Sequence, residues 1–124
     1  MVFVIGGAYQ GKLDYVAENY PGRSVYQCSI DDPDIDLSAS VINSIHFLSL
    51  AQLRKDIDPL VYLSDIMPML REKIIICDDI SCGVVPIESE ARKWRENVGR
   101  SMTMLSKNAD EVIRVFCGIG SRIK

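Results

Sequence analysis

The sequence predicts an α/β fold: a mainly parallel sheet of at least four strands with helices on both faces. Short, continuous apolar runs at Met1–Ile5 and Glu72–Asp79 are rich in β-branched residues, as strands buried on both faces of a parallel sheet are. Segments of helical periodicity separate the candidate strands, giving the order β-α-β-α-α-β-α-β. Alternation of this kind folds into one parallel sheet with right-handed crossovers. In such sheets ligands sit at the carboxyl ends of the strands.

The first run, Met1–Ile5, stops at Gly6–Gly7. Lys12–Tyr20 then reads as a helix, with Leu13, Val16 and Ala17 on one face, and Pro21–Gly22 ends it. Ser24–Cys28 is the next strand. Ser29–Ser38 follows as an acidic loop carrying Asp31, Asp32, Asp34 and Asp36 around Pro33. Ser38–Leu53 is predicted as a helix, because Val41, Ile42, Ile45, Leu48 and Leu53 fall near i, i+3/i+4 spacing. A second helix runs from Pro59 to about Arg71, with Asp58 as its N-cap and Pro59 at the first helical position. Pro68 strains its last turn. Glu72–Asp79 is the clearest strand, and a loop with Gly83 and Pro86 leads from it into a long amphipathic helix, about Glu88–Lys107. Ala91, Trp94, Val98, Met102 and Leu105 form that helix's core stripe. Glu111–Cys117 is the last strand, and a basic tail with Arg122 and Lys124 closes the chain.

A length of 124 residues gives a single domain, residues 1–124. Hydrophobic residues at 48% and charged ones at 25% exclude wholesale disorder. The net charge of −3 argues against a nucleic-acid-coating surface or a polybasic membrane anchor. No apolar run approaches the roughly 20 residues of a membrane span, and Val2–Ile5 lacks the basic flank of a signal peptide. Cys28, Cys77, Cys82 and Cys117 form no C-x-x-C pair. They read as reduced, mostly buried thiols of a cytoplasmic protein.

The chemistry begins directly after the first strand. Gly6–Gly7–Ala8–Tyr9–Gln10–Gly11–Lys12–Leu13 fits G-x-x-x-x-G-K, with Leu13 in place of the usual Ser or Thr. Gly6 and Gly11 permit backbone angles that point successive N–H groups at phosphate oxygens, and the following helix adds its dipole. Lys12 would reach the β- and γ-phosphates. The hydroxyl missing at Leu13 is the usual direct Mg²⁺ ligand, so the loop predicts phosphate binding more strongly than metal-dependent catalysis.

Asp78 and Asp79 close the third predicted strand, which a parallel sheet would place beside this loop. A carboxylate there holds Mg²⁺, directly or through water, or takes the proton of an attacking hydroxyl. It can equally be a solvated strand end or an N-cap. His46, the only histidine, reads as a helix-face residue near the core, so a multi-histidine metal site is excluded. The four loop aspartates lack an EF-hand's glycine and distal glutamate, and read as an exposed acidic loop. Met67 and Met69 read as packing residues, and Arg92 and Arg95 as surface or interface residues flanking Trp94.

Several blocks carry a family resemblance. V-F-V-I-G-G-A-Y-Q-G-K at the start is similar to the phosphate loop of the bifunctional adenosylcobinamide kinase / adenosylcobinamide-phosphate guanylyltransferase family of cobalamin biosynthesis. D-D-I-S-C-G-V-V-P (78–86), A-R-K-W-R-E-N-V-G-R (91–100), A-D-E-V (109–112) and C-G-I-G-S-R-I-K (117–124) resemble that family's ending. The resemblance implies a P-loop NTPase-like three-layer fold. It also implies a kinase that phosphorylates the aminopropanol hydroxyl of adenosylcobinamide with ATP or GTP and Mg²⁺, and assembly as a homo-oligomer, a trimer in known members. Family members then transfer GMP through a guanylylated histidine, carried between the second strand and the next helices. Here that stretch is Ser29–Ser38, which contains no histidine, and His46 lies in no matching motif. The expectation is therefore a nucleotide-binding, cobinamide-kinase-like protein without the guanylyl step. The alternative is a non-catalytic nucleotide-binding or subunit protein of the same descent. In the kinase reading Lys12, Asp78 and Asp79 are the candidate catalytic residues, Gly6–Leu13 the nucleotide loop, and Asp78 and Asp79 the candidate metal ligands.

Overall fold

The computed structural model describes residues 1–81 and 86–124. Its elements in chain order are β1 (Val2–Gly6), α1 (Lys12–Asn19), β2 (Val25–Gln27), β3 (Val41–Asn43), α2 (Ile45–Leu53) and α3 (Pro59–Ile66), which runs into a 3-10 turn (Met67–Leu70). Then come β4 (Ile74–Asp78), α4 (Ser89–Asn108), β5 (Glu111–Phe116) and β6 (Ile119–Arg122). The strands form one sheet in the order β2-β3-β4-β1-β5-β6, parallel except for the final β5–β6 pair. β1 and β4 run in register from Val2↔Ile74 to Gly6↔Asp78, so their carboxyl ends finish side by side.

Alternation along each central strand divides the core into two layers. Phe3, Ile75, Cys77 and Val112 face one way and pack with Leu48, Leu63, Val98 and Leu105 from α2, α3 and α4. Val4, Ile74, Ile76, Ile113 and Val115 face the other way and pack with Val16 of α1. Helices on both faces of a mainly parallel sheet make the three-layer α/β architecture that the strand pattern predicts. Among the described residues no helix is long and apolar enough to cross a membrane.

Local chemistry explains several boundaries. Asp58 caps α3 by accepting from the Leu60 and Val61 N–H groups, with Pro59 in the first turn, as its position before Pro59 predicts. Pro68 has no N–H to donate, and the regular helix gives way at Ile66 to the 3-10 turn, so the helix predicted to about Arg71 stops earlier.

Two expectations are corrected. Val41–Asn43, predicted within a helix, is a buried strand between β2 and β4, and α2 starts only at Ile45. Val41 and Ile42 satisfy a helical spacing by coincidence; parallel pairing on both sides decides their conformation. The predicted basic tail is β6, paired antiparallel to β5 through Cys117 and Gly118. Both turn residues have positive φ, 51° and 77°, as a type I′ hairpin requires. Met69 is also exposed rather than packed, while Met67 lies against the core.

The thiols divide as well. Cys28 and Cys77 are buried and Cys117 is exposed at the hairpin turn, so two of the three described thiols are buried; Cys82, like Gly83, lies outside the described residues. Burial pushes the Cys28 thiol up to about 12, and burial beside Asp78 and Asp79 raises Cys77 as well. Thiolate is the reactive form, so in native protein at neutral pH Cys117 is expected to alkylate roughly a hundredfold or more faster than Cys28 or Cys77. Peptide mapping after timed iodoacetamide labelling measures this, and equal rates would contradict the burial.

Candidate functional site

The loop between β1 and α1 sits at the carboxyl ends of β1, β3 and β4. A cleft of about 200 Å³ there is lined by Tyr9, Gly11, Lys12, Leu13, Asp14, Asn43, Ser44 and Asp78. A larger cleft of about 720 Å³ lies at the opposite, amino ends of the strands, beside Met1, Glu72 and Asp110. The smaller one holds the Gly-Lys loop and lies where open α/β sheets bind ligands.

The loop is held from two sides. Gly11 has φ 86°, the left-handed conformation glycine favours, and leads into α1. On the far side the β5–β6 hairpin clamps the loop: the Gly118 N–H donates to Gln10 O at 2.8 Å, and the Cys117 N–H to Gln10 Oε1 at 2.7 Å. The C-terminal C-G-I-G segment thus braces the N-terminal loop. Gly7, Ala8 and Tyr9 lie exposed at its tip, Tyr9 with φ 59°.

Lys12 lies inside the loop, its side chain only 6% exposed. Its Nζ donates to Gly7 O and pairs with Asp78 Oδ1, both at 2.6 Å. Asp78 is the last residue of β4, directly beside Gly6. The next residue, Asp79, has its N–H on Gly6 O at 2.9 Å, while its Oδ1 accepts from the N–H and hydroxyl of Ser81. The adjacent carboxylates therefore separate: Asp78 lines the cleft and meets Lys12, and Asp79 holds the turn after β4. Leu13 lines the cleft too and is 40% exposed, so no hydroxyl stands at that position.

One residue joins the site that sequence reasoning placed in the core. His46 is only 2% exposed, but its imidazole meets Asp78: Nδ1 accepts from the Asp78 N–H at 3.2 Å, and Nε2 lies 3.5 Å from Asp78 Oδ2. Phe47 and Trp94 flank the ring, and Trp94 Nε1–H donates to His46 O at 2.7 Å. Burial holds the imidazole below the usual histidine range and Lys12 adds to this, while Asp78 opposes it. The signal lay in Val41–Asn43: once that segment is a strand, His46 falls just past a carboxyl end.

The other candidates stand apart. Asp31, Asp32, Asp34 and Asp36 lie in the loop between β2 and β3 and are not among the residues that line the cleft. Arg95 Nε donates to Ser81 O at 2.9 Å, and Arg92 donates to the carbonyls of Pro86 and Ile87, so both brace the segment before α4. Trp94 packs against the core.

The family model for cobinamide kinase / cobinamide phosphate guanyltransferase matches residues 49–123, more than half of the chain. The chain belongs to that family. No curated protein matches it. The span matched to the cobinamide kinase / guanyltransferase model starts within α2 and takes in β4 with Asp78, α4 and the bracing hairpin. The Gly-Lys loop and His46 precede it.

Mg²⁺, which the fold implies, fits this donor set. Such ions are held by one or two carboxylates together with phosphate oxygens and water. Among the described residues no group of three or more His, Cys, Asp or Glu side chains could hold a metal. Asp78, in the cleft beside Lys12, is the carboxylate that would hold such an ion together with phosphate oxygens.

Proposed function

We propose that this chain binds ATP or GTP on Gly6–Leu13 and transfers the terminal phosphoryl group to the hydroxyl of a cobinamide, in cobalamin biosynthesis. The observation that carries this reading is the Lys12–Asp78 pair, set at the carboxyl ends of adjacent strands and at the start of α1. A cation and a carboxylate at 2.6 Å, beside a loop of backbone N–H groups, are the parts phosphoryl transfer needs.

Loop N–H groups and the α1 N-terminus bind the phosphates. Lys12 turns from Asp78 and Gly7 O to the β- and γ-phosphates, where it offsets the charge that develops during transfer. The acceptor oxygen bonds to the γ-phosphorus as the bond to the β–γ bridging oxygen breaks. Asp78 takes the hydroxyl proton, and the products are a phosphate ester and a nucleoside diphosphate. When bound, Mg²⁺ would be held by Asp78 and phosphate oxygens and would neutralise charge on the nucleotide. Asp79 serves by fixing the turn that aims Asp78.

The guanylyl step is left out of this proposal. Its carrier would be a histidine, and the single histidine is 2% exposed, with both ring nitrogens directed at Asp78.

A second reading, a nucleotide-binding module without turnover, is favoured by Leu13. Leu13→Ser discriminates between them. In a kinase, restoring the hydroxyl is expected to raise turnover roughly tenfold, the scale of one charge-assisted contact made in the transition state. Calorimetry with ATP, GTP and cobinamide, with and without Mg²⁺, beside a product assay gives the measurement. Nucleotide binding with no product from either form would establish the module instead.

A further inference from the structure

We infer that His46 is a positioning residue whose Nε2–H keeps the Asp78 carboxylate aimed at the phosphate site after Lys12 has moved to the nucleotide. The inference rests on the phosphoryl-transfer reading of Asp78, and extends it to a residue outside the Gly-Lys loop and ahead of the matched family span.

Ser44, with φ 60° and ψ 48°, turns the chain sharply between β3 and α2 and brings His46 beneath the end of β4. Because Nδ1 accepts the Asp78 N–H, a neutral imidazole there carries its proton on Nε2, the nitrogen facing Asp78 Oδ2. An aliphatic side chain would fill this apolar space between Phe47 and Trp94 without the cost of desolvating two ring nitrogens. The imidazole spends both nitrogens on one residue: Nδ1 on the Asp78 main chain, Nε2 on its carboxylate.

The division of Asp78's two oxygens gives this a consequence. Oδ1 pairs with Lys12 and Oδ2 faces His46. Phosphates that draw Lys12 away leave Oδ1 open to the acceptor or the metal. Without a second donor the carboxylate would be free to rotate, and with His46 it stays oriented. The Nε2–Oδ2 separation of 3.5 Å is long while Oδ1 is held by Lys12, and it is expected to shorten when Lys12 no longer competes for the charge.

The single histidine makes the test direct. Protein labelled with ¹⁵N-histidine gives one pair of ring signals. The Nε2–H tautomer is expected, with an Nε2 resonance that moves saturably as Mg²⁺ and ATP or GTP are added. In Asp78→Asn that movement is expected to vanish. An Nδ1–H tautomer, or a resonance that stays put while calorimetry shows nucleotide bound, would overturn the role of His46 and leave the nucleotide reading standing. Absence of binding heat from both nucleotides would overturn the nucleotide reading, and this inference with it.

Variants supply a second arm. His46→Gln carries an amide donor at the Nε2 position, His46→Asn an acceptor at the Nδ1 position, and His46→Leu neither. The expected kcat is within about threefold of the parent for Gln and about tenfold lower for Asn and Leu, with nucleotide KM unchanged. Full activity in Asn with loss in Gln would reduce His46 to a main-chain acceptor and overturn the inference. Thermal melts identify any variant that fails to fold, and the spectroscopic arm on the unmutated chain decides in that case.

Discussion

In Mg²⁺-free solution Lys12→Met is expected to weaken ATP and GTP binding about 30- to 150-fold, while Asp78→Asn is expected to tighten it several-fold and yet, once Mg²⁺ is supplied, to abolish most phosphoryl transfer. The opposite signs follow from one ion pair. The Lys12 ammonium is buried at 2.6 Å from both Gly7 O and Asp78 Oδ1. A phosphate must compete with Asp78 for it. Removing the ammonium deletes a charge-assisted contact worth about 2–3 kcal/mol and leaves Asp78 facing the incoming anion with no cation between them. The neutral amide that Asp78→Asn introduces competes less for Lys12 and repels phosphate less, so the nucleotide gains; what is lost is the group that accepts the hydroxyl proton. Calorimetric titration of both variants checks the prediction. Equal affinities across the parent and both variants would mean that the nucleotide does not approach Lys12.

Gly6→Ala is expected to cost about 3 kcal/mol, lowering the melting temperature by roughly 10 °C, and to abolish nucleotide binding in what still folds. A Cβ at Gly6 would collide with the carbonyl oxygen of Val115 in β5, a main-chain atom that cannot step aside as a flexible side chain could. β1 is bonded to β4 on one side and β5 on the other, so relief would have to displace the sheet's centre just where the Gly-Lys loop begins. Gly11→Ala makes the comparison. Its Cβ would meet only Gly118, the nearest atom being Cα at 3.4 Å, an ordinary contact, and the cost is left to the unfavourable φ of 86°. That penalty is about 1–2 kcal/mol. Thermal or denaturant melts should therefore rank Gly6→Ala as clearly worse than Gly11→Ala, and the reverse order would contradict the tight β1–β5 approach.

What was legible in the sequence was what local pattern encodes. The β1 run and its glycine loop, the β4 run and its two aspartates, Pro59 behind Asp58, and the long stripe of α4 each announce themselves within a few adjacent residues. Their physical causes are short-range: backbone freedom, capping, and side-chain periodicity. The family resemblance at both ends has the same basis, since the phosphate loop, the G-V-V-P block and the C-G-I-G ending are contiguous.

Tertiary structure decided the rest, because those features depend on partners distant in sequence. Val41–Asn43 is too short to show a strand's alternation, and it becomes a strand only by pairing between β2 and β4. Ile119–Arg122 shows no apolar pattern and is fixed by β5. Asp78 and Asp79 look equivalent in sequence, yet the pleat turns successive side chains to opposite sides, giving one to Lys12 and the other to Ser81. His46 reads as an ordinary helix-face residue until β3 and β4 bring it against Asp78, 32 residues away. The sequence alone therefore determined an α/β fold with a Gly-Lys loop after its first strand; the sheet order decided which carboxylate and which histidine stand beside the lysine.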